Sequence, residues 1–118
     1  MSGGSDFFEL YDLDVFVEGD KEGFCCSHEL GYAFSVVGEN LVFKEGRKFS
    51  MYSLSALLPL LPAKQRDTSE NDWMTSDQVI SCPDPNCSGR FKIKRVSKTK
   101  FSHSEVTRVT IGANDDNL

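Results

Sequence analysis

The sequence predicts a small α+β domain: an antiparallel sheet of about five strands with one main helix packed on one face. Three observations carry that prediction. Short runs of alternating apolar and polar residues recur along the chain, and one stretch after Ser50 has its apolar residues at helical spacing. A chain of 118 residues with 39% hydrophobic content suffices for one core and is too short for two ordinary ones. The expected layout is a flexible N-terminus over 1–6, a single domain over 7–97, and a polar C-terminal tail over 98–118.

From Phe7 to Val17 apolar and acidic residues interleave. Phe8, Leu10, Leu13, Val15 and Val17 are the inward positions, and the phase slips once near Tyr11 and Asp12, as one strand with a bulge requires. Glu18 to Gly23 is turn chemistry, which places Cys25, Cys26 and His28 on the loop leaving that strand. Tyr32 to Val37 and Asn40 to Phe43, separated by Gly38 and Glu39, read as a hairpin rich in β-branched and aromatic residues.

Ser50 is a candidate N-cap for a helix carrying Met51, Leu54, Leu57, Leu58 and Leu61 on one face. Pro59 predicts either a kink or a second short turn starting there. Lys64 to Asp72 is polar and aperiodic, a mobile surface loop before Trp73. Gln78 to Cys82 and Arg90 to Val96 then read as two antiparallel strands flanking a Pro-Asp-Pro turn. The tail from Lys98 is polar, with Thr107 to Ile111 available as an edge strand.

The formal charge of −5 disfavours a phosphate-backbone binder, so nucleic acid is not an expected partner. The charge is uneven: Met1 to Ser50 is mostly acidic, whereas Arg90, Lys92, Lys94, Arg95, Lys98 and Lys100 crowd one segment, read as the solvated face of an edge strand. No basic start precedes an apolar run at the N-terminus, and no stretch approaches the roughly 18 apolar residues that cross a bilayer. A cytoplasmic protein without membrane contact is the expectation.

All four cysteines and one of the two histidines lie in two short stretches, Cys25-Cys26-Ser27-His28 and Cys82-Pro83-Asp84-Pro85-Asn86-Cys87. Such concentration suggests one site assembled from distant segments, built to hold a metal or to poise a thiolate beside an imidazole. Cys26, His28, Cys82 and Cys87 make a four-ligand zinc set, although C-x-H and C-x4-C are not the usual knuckle spacings. A disulfide between Cys82 and Cys87 across the proline turn is a further alternative.

The order His28-x-x-Gly31-x-x-Phe34, a helix with Leu57-Leu58-Pro59, a tryptophan, Cys82-Pro83-Asp84-Pro85 and Phe91-x-Ile93-x-Arg95 resembles a family of small domains, sometimes repeated, known mainly for their Cys-Pro motifs. The resemblance covers roughly Phe7 to Val96. It implies a Cys-Pro-x-Gly-His segment, a second Cys-Pro at the helix start and the Cys-Pro-Asp-Pro turn. This chain has Phe24 at the usual first cysteine position and no cysteine near Phe49 to Met51. Cys87, which the family generally lacks, could replace a missing ligand.

Glycine-rich phosphate loops, a dinucleotide fingerprint and a His-Glu-x-x-His helix do not occur. The leading functional expectation is a small cofactor-independent enzyme acting on a small organic molecule by acid/base chemistry, of isomerase, cyclase, dehydratase or hydrolase type. His28, Asp84, Cys26 and Cys82 are its candidate catalytic residues, since an imidazole titrates near neutral pH and can activate a thiol. Trp73, Tyr52 and Phe34 are the candidate substrate-binding walls. The alternative is a non-catalytic zinc-binding or protein-interaction domain, and a homodimer through exposed strand edges is expected under either.

Overall fold

The computed structural model of the protein describes residues 6–24 and 28–112. Five strands occur among them: β1 (Phe7–Glu18), β2 (Gly31–Val37), β3 (Asn40–Phe43), β4 (Val79–Ser81) and β5 (Arg90–Ser102). Four short helices accompany them: α1 (Met51–Leu57), α2 (Leu61–Lys64), α3 (Trp73–Ser76) and α4 (His103–Val106). The strands form one antiparallel sheet in the order β3-β2-β1-β5-β4, the small α+β arrangement that the sequence predicts.

β1 is the spine of the sheet. Leu10, Leu13, Val15 and Val17 are buried, and the ladder to β5 is irregular between Tyr11 and Leu13, where the apolar alternation slips. The bulge also frees a donor: the Tyr11 amide turns out of the ladder and donates to the Gln65 carbonyl at 2.7 Å.

Leu13, Val15, Ala33, Phe34, Leu57, Leu61, Phe91 and Ile93 form the centre of the core. α1 and α2 contribute Leu57 and Leu61 to it from one side of the sheet. Ser50 caps α1 by accepting from the Ser53 amide, but the helix ends at Leu57 and a new one begins at Leu61 with Pro62 in its first turn. Met51 and Leu58 lie exposed instead of joining Leu57 and Leu61 in the core, because at about 100° per residue neither stands on the face of α1 that carries Leu57.

The segment starting at Lys64 differs from the expected surface loop. Lys64 and Gln65 are buried, the ammonium donating to the carbonyls of Met74 and Asp77 and the Gln65 carboxamide to the Gly38 carbonyl at 2.7 Å. Arg95 adds bonds to the carbonyls of Lys64 and Arg66, both 2.7 Å. Long polar side chains are buried here because main-chain acceptors surround their heads.

β5 runs to Ser102 instead of ending at Val96, because β1 offers partners as far as Phe7, opposite Ser102. It is flanked by β4 over Arg90 to Lys92 and is an edge only beyond that. Three of its six basic residues stand across from acidic ones of β1: Glu18 faces Arg90, Asp14 faces Lys94 and Glu9 faces Lys100. Part of the charge asymmetry of the sequence is thus cross-strand complementarity within the sheet. Thr107 to Ile111 forms bends and turns, not an edge strand.

Candidate metal centre

The site is assembled where β1 ends and β5 begins. Gly19 has φ +120°, and a Cβ there would lie 2.4 Å from the Ser88 carbonyl oxygen, so glycine allows the chain leaving β1 to run against the late hairpin. A 3-10 turn, Lys21–Gly23, follows. The Ser88 amide donates to the Gly23 carbonyl at 3.0 Å and the Ser88 hydroxyl to the Asp20 carbonyl at 2.6 Å. Two segments more than sixty residues apart are stitched together by these bonds. On the other flank, Arg47 donates to the carbonyls of Glu29 and Leu30, holding the chain just after His28.

The second cysteine pair is shaped by its own turn. The Cys82 amide donates to the Gly89 carbonyl at 3.1 Å, continuing the β4–β5 pairing by one step. The Asp84 carboxylate accepts from the Asn86 amide at 2.9 Å, and the Cys87 amide donates to the Asp84 carbonyl at 3.0 Å. This side-chain-capped reversal over 83–86 returns Cys87 alongside Cys82.

The ligating atoms of His28, Cys82 and Cys87 all lie within 4.8 Å of one another. A zinc–sulfur bond of about 2.3 Å gives a tetrahedral edge of about 3.8 Å, so the three groups are close to the spacing that a shared ion imposes. His28 is 9% exposed, Cys82 5% and Cys87 3%. The Gly89 amide points at Cys87 Sγ, 3.5 Å away, a donor that stabilises a thiolate. A Cβ at residue 89 would stand 2.8 Å from His28 Cδ2, so glycine is needed for the imidazole to reach this position.

Phe24 and Phe91 meet the imidazole edge-on, with ring centroids 5.2 and 5.3 Å away. Burial lowers the His28 pKa from its ordinary value, favouring the neutral ring that a metal or a proton can use. Cys82 is a free thiol, so the alternative disulfide to Cys87 is not formed. The donor set, two sulfurs and one imidazole nitrogen, suits zinc.

Of the residues singled out in the sequence, the structure gathers His28, Cys82 and Cys87. Cys26, with Cys25, lies outside the described residues. Asp84 is exposed, and its carboxylate caps the turn between the two cysteines. Phe34 is fully buried, its ring 4.7 Å from that of Phe43 and 5.3 Å from that of Phe49. Tyr52 on α1 and Trp73 on α3 are largely exposed, away from the core that holds Phe34. Gly89 and Arg47 carried no sequence expectation, and Phe24 and Phe91 entered only through the family motif, not as neighbours of the imidazole. The small residues after Cys87, Ser88 and Gly89, were the available signal, since a turn that aims an amide at a thiolate needs little side-chain bulk.

No family model, curated protein or solved structure matches the chain. Among the described residues, no helix is long and apolar enough to cross a membrane.

Proposed function

We propose that this protein is a zinc-binding domain in which Cys26, His28, Cys82 and Cys87 hold one ion that fastens the loop after β1 to the β4–β5 hairpin. The observation that carries the reading is the convergence of one imidazole and two thiol sulfurs within 4.8 Å, from segments far apart in the sequence. We assign the fourth position to Cys26, two residues before His28 in sequence. With Cys26 in place, four protein donors leave no open coordination position, which makes the proposed role structural. Metal binding contributes folding free energy to a domain of this size, because the ligand set forms only when the chain folds.

Elemental analysis of protein purified without chelator tests this. About one zinc per chain is expected for the unaltered protein and for Cys25→Ser, and a strong loss for Cys26→Ser, His28→Ala and Cys82→Ser. Retention of metal in Cys26→Ser with loss in Cys25→Ser would transfer the fourth position to Cys25. Metal-free protein that is folded and stable contradicts the reading.

A second reading has support in the same geometry. A neutral imidazole close to two thiols is also the arrangement that cofactor-independent acid/base chemistry on a small organic molecule requires, with His28 as the proton acceptor and Cys82 as acid or nucleophile. Under that reading Cys82 reacts rapidly with iodoacetamide in the protein as purified. Under the zinc reading it reacts only after the metal is removed.

A further inference from the structure

At the end of the sheet remote from His28, the helices and the β2–β3 turn leave an open cleft of about 660 Å³. Its walls are apolar: Phe8, Leu10, Val36 and Leu41 from the strands, and Leu58 and Leu61 from the helical layer. Phe8 and Phe101 stack at 5.6 Å along one side. The Gln65 carboxamide, which also lines the cleft, is held by its bond to the Gly38 carbonyl at 2.7 Å. A volume of several hundred Å³ with mostly apolar walls and few polar groups is the usual form of a small-molecule site.

The polar groups at the rim identify the ligand class. Arg66 lines the cleft, one guanidinium nitrogen donating to the Pro62 carbonyl at 2.8 Å, which leaves further N–H donors available. Among the described residues the one ion pair joins Lys98 to Asp67, so none of them forms an ion pair with Arg66. Glu39 stands on the same rim and disfavours an anion there. An apolar chain in the cleft and a carboxylate on Arg66 satisfy both the walls and the free donors.

We propose that this cleft binds a medium- or long-chain aliphatic carboxylate, its chain between the sheet and α1–α2 and its head on Arg66. The site is independent of the His28 cluster. It is tested on the full chain, as purified, by titrating sodium octanoate, decanoate and dodecanoate below their micelle concentrations while recording amide NMR spectra. Shifts are expected at Val36 to Leu41, Leu58 to Arg66 and Phe101. Each added methylene should raise affinity by about fourfold until the cleft is filled.

Decanol should bind about tenfold more weakly than decanoate, and Arg66→Gln should remove that difference. Glu39→Gln should strengthen decanoate binding. Leu58→Trp, which places bulk in the cleft from an exposed position, should abolish binding while the rest of the spectrum is retained. Absence of shifts at the cleft overturns the proposal, as does equal affinity for decanoate and decanol or binding indifferent to both Arg66→Gln and Leu58→Trp.

Discussion

Gly89 and His28 are in contact: a Cβ on residue 89 would lie 2.8 Å from the imidazole Cδ2 and 3.0 Å from Nε2. The same residue sends its amide to Cys87 Sγ. One glycine therefore supports two of the three gathered donors without supplying any. Gly89→Ala should displace the imidazole and lower zinc affinity by about 10–100-fold, the range for groups that orient ligands. Competition against a chromophoric zinc chelator measures this, and unchanged affinity would show that the ring does not bind the ion.

Zinc and stability should be linked. Addition of a strong chelator should lower the melting temperature of the unaltered protein, and leave that of Cys82→Ser or His28→Ala unmoved because their metal is already lost. Thermal unfolding followed by circular dichroism gives the comparison. Equal chelator sensitivity in all three proteins would detach the effect from this cluster.

The core should respond unevenly to truncation of α1. Leu57 is fully buried, whereas Tyr52 is 70% exposed. Leu57→Ala should cost about 2–5 kcal/mol by urea unfolding, from lost burial plus the cavity left behind. Tyr52→Ala should change stability by no more than about 0.5 kcal/mol. A large cost for Tyr52→Ala would mean that its exposed face is covered in solution.

Lys64 is a structural cation. Its ammonium serves the carbonyls of Met74 and Asp77 around α3, and burial, then the nearby Arg95, lowers its pKa. Lys64→Ala should cost about 1.5–3 kcal/mol, the scale for hydrogen bonds from a charged donor. The loss should be accompanied by faster amide exchange in 73–77. Equal stability with unchanged exchange would count against the role.

Asp67 supplies a pH dependence of known sign. Hydrogen bonds from Lys98, then Tyr11, lower its carboxyl pKa. The folded state thus prefers the carboxylate, and the contribution is present above the ordinary carboxylate pKa of about 3.9 and lost as pH falls through the lower folded value. Urea midpoints measured in acid should fall for the unaltered protein with this component missing in Asp67→Asn. The pair is exposed, so the difference should shrink in high salt.

Much of this architecture is legible in the chain because local signals agree with the packing. The inward set of β1, its bulge at Asp12, the hairpin about Gly38 and the Ser50 cap follow from period, turn chemistry and capping. The burial of Lys64 and Gln65 was not legible, since it depends on carbonyls brought from distant segments. The length of β5 was equally hidden: Lys98 to Ser102 carries little apolar pattern and is held as a strand by β1. At the site, residue type showed His28, Cys82 and Cys87 as candidates. Their convergence depends on Gly19, Gly23 and Gly89, which let two loops approach more closely than side chains allow.

X-ray absorption at the zinc edge, on protein purified without added metal or chelator, tests the central claim most directly. The account predicts about one zinc per chain with about three sulfurs at about 2.3 Å and one nitrogen at about 2.0–2.1 Å. A shell of oxygen and nitrogen alone, or the absence of zinc from folded protein, would contradict it.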